Sequence, residues 1–173
     1  MKIENQLLSF EKLYLSKKEY YDDKYKIYWK GHDENWNERL GPTKRIFGQM
    51  SNIINRISSL NLNKNATILD ICCGSPVLLH QIKKQFPDYN AYGVDIYTTE
   101  FNDFNENCSN GVKVFKFPFQ MLFENEDKFD SFDLVIMYNS YRAFDQNHQN
   151  KIKNWCDKNS KYSLLEGEIA RNK

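Results

Sequence analysis

A three-layer α/β sandwich is the fold class this chain predicts, and three observations carry it. Apolar strand-like runs alternate with helix-period stripes from Ala66 onward. Two of those strands, about Thr67–Ile71 and about Ala91–Asp95, each end on a carboxylate and flank a tight turn and a helix. The fourth run, Phe132-Asp-Leu-Val-Ile-Met137, is almost continuously apolar, as a strand buried on both faces must be.

Taken in order, residues 1–42 form an appendage. Leu7, Phe10, Leu13 and Tyr14 recur at helical spacing. Tyr20, Tyr21, Tyr25, Tyr28, Trp29 and Trp36 follow. This segment either packs its aromatics on the main domain or forms a lid over a cleft. Gly41-Pro42 breaks the chain and Thr43 is placed to cap the next helix. Ile46, Met50, Ile53, Ile57 and Leu60 then form an apolar stripe over about four turns. Residues 43–173 make the α/β core. Strands are expected at about 67–71, 91–95, 112–117, 132–137 and 162–166, with helices at about 77–86 and 146–158. Parallel pairing with right-handed crossovers gives five strands in the order 3-2-1-4-5. No composition shift or linker divides the chain, so 1–173 is read as one domain.

The bulk numbers exclude several classes. An apolar share of 40% supports a core and argues against disorder. The net charge of +1 provides no field for nucleic acid or an acidic membrane. The start, Met-Lys-Ile-Glu-Asn-Gln, lacks the apolar stretch of a signal peptide, and no run reaches the roughly 18 apolar residues of a membrane helix. Cys72, Cys73, Cys108 and Cys156 fit neither a zinc spacing nor a disulfide framework. A cytoplasmic protein with reduced thiols and no metal is the expectation. His32, His80 and His148 are scattered, and Asp133 is expected to cap the start of the fourth strand, away from any ligand.

Ligands of open parallel sheets bind beyond the carboxyl ends of the strands. Asp70 with its turn, Asp95, the segment after the third strand and Tyr138-Asn139-Ser140 should gather there. A dinucleotide fingerprint needs G-x-G-x-x-G, so that amides approach a diphosphate. Here the turn holds only Gly74, and Pro76 has no N–H. Asp70 at its entrance repels a diphosphate and favours a cation. S-adenosylmethionine, with a sulfonium, an ammonium and no phosphate, satisfies these constraints. Asp70 would face its methionine end, and Asp95 would accept the ribose hydroxyls.

Ile68-Leu-Asp-Ile-Cys-Cys-Gly74, Tyr92-Gly-Val-Asp95 and Phe132-Asp-Leu-Val-Ile136 together resemble motif I, the end of strand two and strand four of the class I S-adenosylmethionine-dependent methyltransferases. The resemblance spans about Thr43 to Glu168 and implies a Rossmann-like fold with that cofactor. It implies Asp70, Cys72, Cys73 and Gly74 on the methionine side, and Asp95 and Ile96 on the ribose and adenine side. It places Phe119 and Gln120 near the adenine, with Met121 an alternative to Phe119 against the ring, and Tyr138 in the cleft. Cys72 and Pro76 stand where the family has glycine. Asn139-Ser-Tyr141 is similar to the Asn-Pro-Pro-Tyr signature of base-methylating enzymes but lacks both prolines, so a nucleic-acid acceptor is not expected. A small-molecule acceptor is. The family's terminal antiparallel strands six and seven are expected to be absent, leaving strand five an open edge for which a partner subunit in a homodimer, the N-terminal appendage or truncation would account. A non-catalytic module that binds the cofactor or a partner protein is the alternative reading. A nicotinamide-dependent oxidoreductase is disfavoured by Asp70.

Overall fold

A computed structural model describes residues 3–26, 41–74, 76–96, 111–125, 129, 131–138, 140–165 and 169–172. Tyr28, Trp29, Trp36, His32, Cys108 and Asn139 lie outside the described residues.

The elements run α1 (Ile3–Ser16), α2 (Lys18–Lys24), α3 (Gly41–Ser59), β1 (Thr67–Ile71), α4 (Val77–Gln85), β2 (Asn90–Asp95), β3 (Val112–Lys116), α5 (Gln120–Phe123), β4 (Phe132–Ile136), a 3₁₀ turn (Tyr141–Ala143), α6 (Gln146–Asn159), β5 (Ser160–Leu164) and β6 (Ile169–Arg171). α3 begins at Gly41, ahead of the expected Thr43 cap. Pro42 is tolerated there because first-turn amides need no helical partner.

The sheet order is β3-β2-β1-β4-β5-β6. The first five strands pair in parallel, so the expected order 3-2-1-4-5 stands. β6 corrects the expectation that strand five is an edge. Its three residues pair antiparallel with β5, Leu164 opposite Ile169 and Tyr162 opposite Arg171. Asn172 secures this strand. Its amide N–H donates to the Lys161 carbonyl at 2.9 Å. Its Nδ2 donates to Ser160 Oγ at 2.9 Å and to the Cys156 carbonyl at 3.2 Å. Its Oδ1 accepts from Ser163 Oγ at 3.1 Å. With β5 covered, the reason for a dimer at that edge disappears.

Strand alternation sends side chains into two cores. Leu69, Ile71, Tyr92, Val94, Phe115, Phe132 and Val135 face α1, α5 and α6. Ile68, Ala91, Val112, Leu134, Ile136 and Leu164 face α3 and α4. α1 is a layer of the sandwich. Leu7, Phe10 and Tyr14 are buried in the first core, and the Phe10 ring sits 5.6 Å from that of Phe117. The crossover from β3 to β4 carries a helix of only four residues, α5. α1 covers the sheet face that this short crossover leaves open. It runs alongside β3 in the same direction: Lys113 Nζ donates to Glu4 Oε1 at 2.6 Å, and the Lys116 amide donates to Glu11 Oε1 at 2.7 Å. The second contact satisfies a backbone donor on an edge strand. Tyr14 Oη donates to Asp22 Oδ1 at 2.8 Å, and Lys24 Nζ donates to Glu124 Oε2 at 2.8 Å. These bonds tie α2 to α1 and to the end of α5.

Among the described residues, no helix is long and apolar enough to cross a membrane, and no group of three or more His, Cys, Asp or Glu side chains is placed to hold a metal ion.

Candidate functional site

β1 delivers Asp70 to the carboxyl end of the sheet, one residue before the strand ends. Its register partners are Gly93 on β2 and Ile136 on β4, so it lies between the two central neighbours. Asp70 is 6% exposed. Burial and the negative charge of Asp95 push its carboxyl well above the ordinary aspartate range, and among the described residues no hydrogen bond offsets the cost.

The turn that follows is built on left-handed backbone. Cys72 has φ +55° and Gly74 has φ +53°. A Cβ at Gly74 would meet nothing within 4 Å, so glycine there answers to the backbone alone. Cys72 adopts a similar conformation with a side chain, at a cost of about 1 kcal/mol. The adjacent cysteines point to opposite faces. Cys72 is half-buried against the core of α1, α5 and α6, whereas Cys73 lies in the core of α3 and α4. Both thiols are pushed up by burial and by the two carboxylates, which argues against thiolate chemistry.

Two turn amides already have partners within the chain. The Cys73 N–H donates to the Val94 carbonyl at 3.3 Å. The Gly74 N–H donates to Asp95 Oδ2 at 2.9 Å. Pro76 immediately precedes α4 and offers no donor. Among the described residues of the turn, the Cys73 and Gly74 amides are therefore committed and Pro76 has none, an objection to a diphosphate beyond the missing glycines.

Sequence reasoning assigned Asp95 only to a ribose, and here it also braces the turn. It missed Gly93. A Cβ at Gly93 would lie 2.8 Å from Cys73 Sγ and 3.0 Å from Leu79 Cδ1. This glycine lets the turn and α4 settle on β2. The available signal was a glycine inside the strand Tyr92-Gly-Val-Asp95, which marks close backbone approach.

The remaining expected residues are distributed unevenly. Ile96, just after β2, is half-exposed at the mouth. Gln120 is the first residue of α5 and partly exposed. Phe119 is 8% exposed, with its ring edge-on to Phe144 at 5.2 Å and to Phe123 at 5.5 Å. Met121 is 2% exposed inside the core. Tyr138 follows β4, partly buried against the α3–α4 side. Asp133 Oδ2 accepts from the Thr67 amide at 2.8 Å, so it fastens the start of β1 at the opposite end of the sheet. His80 is buried on α4 and His148 is exposed on α6. The loop after β4 is braced by Gln149, whose Nε2 donates to the carbonyls of Phe144 at 2.8 Å and Tyr141 at 3.3 Å. An open groove elsewhere is lined by Phe123, Glu124, Lys151 and Lys158. It lies along the later turns of α6, away from the strand ends.

Several solved structures share this architecture. An O-methyltransferase family protein from Burkholderia thailandensis superposes with TM-score 0.55 over 74% of this chain and 40% of its own, at 16% identity. The chain shares the fold of that methyltransferase. The plantazolicin methyltransferase BpumL, in complex with a pentazolic desmethylPZN analog and SAH, matches this methyltransferase fold with TM-score 0.52 over 93% of this chain and 59% of its own, at 20% identity. An O-methyltransferase family 2 protein from Planctomyces limnophilus, complexed with apigenin, matches with TM-score 0.50 over 68% of this chain and 38% of its own, at 12% identity. The chain thus spans between about two-fifths and three-fifths of the length of these methyltransferases. No family model and no curated protein matches it.

Proposed function

We propose that the chain binds S-adenosylmethionine at the carboxyl end of β1 and β2 and transfers its methyl group to a small-molecule acceptor. The observation that carries this reading is the buried Asp70 carboxyl, without a hydrogen bond among the described residues, beside a turn whose Cys73 and Gly74 amides are used internally. An anionic ligand is repelled there and a cationic one is attracted. The methyltransferase fold supports the same reading.

In this reading Asp70, Cys72, Cys73 and Gly74 shape the methionine side. Cys73 acts through packing, since its sulfur is buried against Gly93. Asp95 accepts the ribose hydroxyls while holding the turn, because each carboxylate oxygen has more than one lone pair to offer. Ile96, Gln120 and Phe119 border the adenine side, and Tyr138 borders the acceptor. The bound cofactor supplies an activated methyl group, so the chain's own work is positioning and exclusion of water.

Calorimetry with S-adenosylmethionine, S-adenosylhomocysteine and NADH tests the proposal. Binding of the two sulfur compounds without NADH is the expected result. No heat from either at millimolar concentration would overturn it. Binding without turnover on a broad acceptor panel would instead favour a non-catalytic cofactor-binding module.

A further inference from the structure

β3 and β4 are separated in the sheet by β2 and β1, yet the segments that follow them meet. Phe119 follows β3, and Phe144 follows β4 and its 3₁₀ turn. Their rings stand edge-on at 5.2 Å. Both pack with the core of α1, α5 and α6, as does Cys72 in the turn after β1. The pair therefore bridges β2 and β1 at their carboxyl ends, on the face that carries α5 and α6. Tyr138 packs with α3 and α4, on the other face.

One side chain on α6 fixes the segment that carries Phe144. Gln149 Nε2 donates to the Phe144 carbonyl at 2.8 Å and to the Tyr141 carbonyl at 3.3 Å. Tyr141 Oη returns a bond to the Gln149 carbonyl at 3.4 Å. Phe144 leaves the turn extended, at φ −91° and ψ 149°, and its carbonyl is served by a side chain in place of a turn amide. These bonds join main chain to a half-exposed polar side chain, so they order the segment rather than build the core.

We infer that Gln149 is a positioning residue for the candidate site: it orders the segment after β4 so that Phe144 closes on Phe119 and walls one face of the cleft before a ligand arrives. The inference rests on the cofactor reading above and deepens it. Gln149 acts only through the segment it holds. A wall ordered in advance costs nothing to order on binding, so its ordering energy appears as ligand affinity. Without the bonds, the ligand must order the segment itself.

S-adenosylhomocysteine is the probe, titrated by calorimetry into the full chain and followed by hydrogen exchange. In wild-type protein the ligand should slow exchange of the Ala143 and Phe144 amides, which bond to the Ser140 and Tyr141 carbonyls. Gln149→Leu keeps much of the side chain's bulk and removes the donor. It should weaken the ligand by about three- to tenfold, the scale of one or two hydrogen bonds between neutral groups. Phe119→Leu should weaken it too. The double variant should bind no more weakly than the weaker single, because both changes undo the same contact. A Gln149 that served the fold alone would show independent effects that multiply. Unchanged affinity in either single variant, or losses that multiply in the double, would overturn the inference. Exchange at Ala143 and Phe144 that ignores the ligand would overturn it as well, and that measurement needs only wild-type protein. Failure of the cofactor reading itself would look different: wild-type protein would give no heat with S-adenosylhomocysteine.

Discussion

At the scale of single residues, the turn between β1 and α4 makes the sharpest demands. Gly74→Ala places a side chain on left-handed backbone in open space. It should cost about 1–2 kcal/mol of stability, read by denaturant unfolding, with no packing component. Gly93→Ala is a different case, because its Cβ would press on Cys73 Sγ and Leu79 Cδ1. It should destabilise by about 1–3 kcal/mol and weaken cofactor binding as well, since the turn must shift to admit it. Asp95→Ala removes both the bond to the Gly74 amide and the acceptor proposed for the ribose. Affinity for S-adenosylmethionine should fall by roughly 1.5–3 kcal/mol by calorimetry. Unchanged affinity in a folded variant would show that Asp95 holds only the turn.

At the scale of elements, α1 tests the difference between a lid and a layer. A lid residue alters ligand kinetics and leaves the fold intact. Leu7 is fully buried in the core that also holds Leu69 and Val135. Leu7→Ala should therefore cost about 2–5 kcal/mol of global stability with or without ligand. Loss confined to ligand affinity would return α1 to a lid. The C-terminal strand makes a parallel point. Three residues of β6 form a short ladder, and the side chain of Asn172 adds three hydrogen bonds to Cys156, Ser160 and Ser163. Their removal should loosen β6 and expose the β5 edge, which hydrogen exchange at Lys161–Leu164 would report.

For the whole molecule, the buried acid sets a pH dependence of stability. The folded-state pKa of Asp70 lies above the ordinary value of 3.8. The folded chain then keeps a proton that the unfolded chain has already lost. Its contribution is fully present below the unfolded value and is lost as the pH rises through the folded one. Thermal melts of the ligand-free protein should decline over that window, while those of Asp70→Asn stay flatter and end higher at neutral pH. Matching profiles would mean that Asp70 is solvated. A destabilising acid in a binding crevice is the expected trade of stability for ligand affinity.

The sequence by itself determined the sandwich, the order of the five parallel strands and the placing of Asp70, Gly74 and Asp95 at one end of the sheet. Those features follow from local periodicity, from the hand of crossovers and from acids at strand ends, all of which a single chain displays. Tertiary structure decided the rest. Whether Leu7, Phe10 and Tyr14 cover a cleft or a sheet depended on how much of the sheet the short β3–β4 crossover leaves bare. The Ile-Ala-Arg strand was too short for its own pattern to announce, and it exists through β5 and Asn172. The partners of the Cys73 and Gly74 amides, the opposite facings of Cys72 and Cys73 and the lack of a hydrogen bond to Asp70 among the described residues depend on atoms brought together from distant parts of the chain. Pairing and burial are properties of that assembled geometry, and residue spacing carries no record of them.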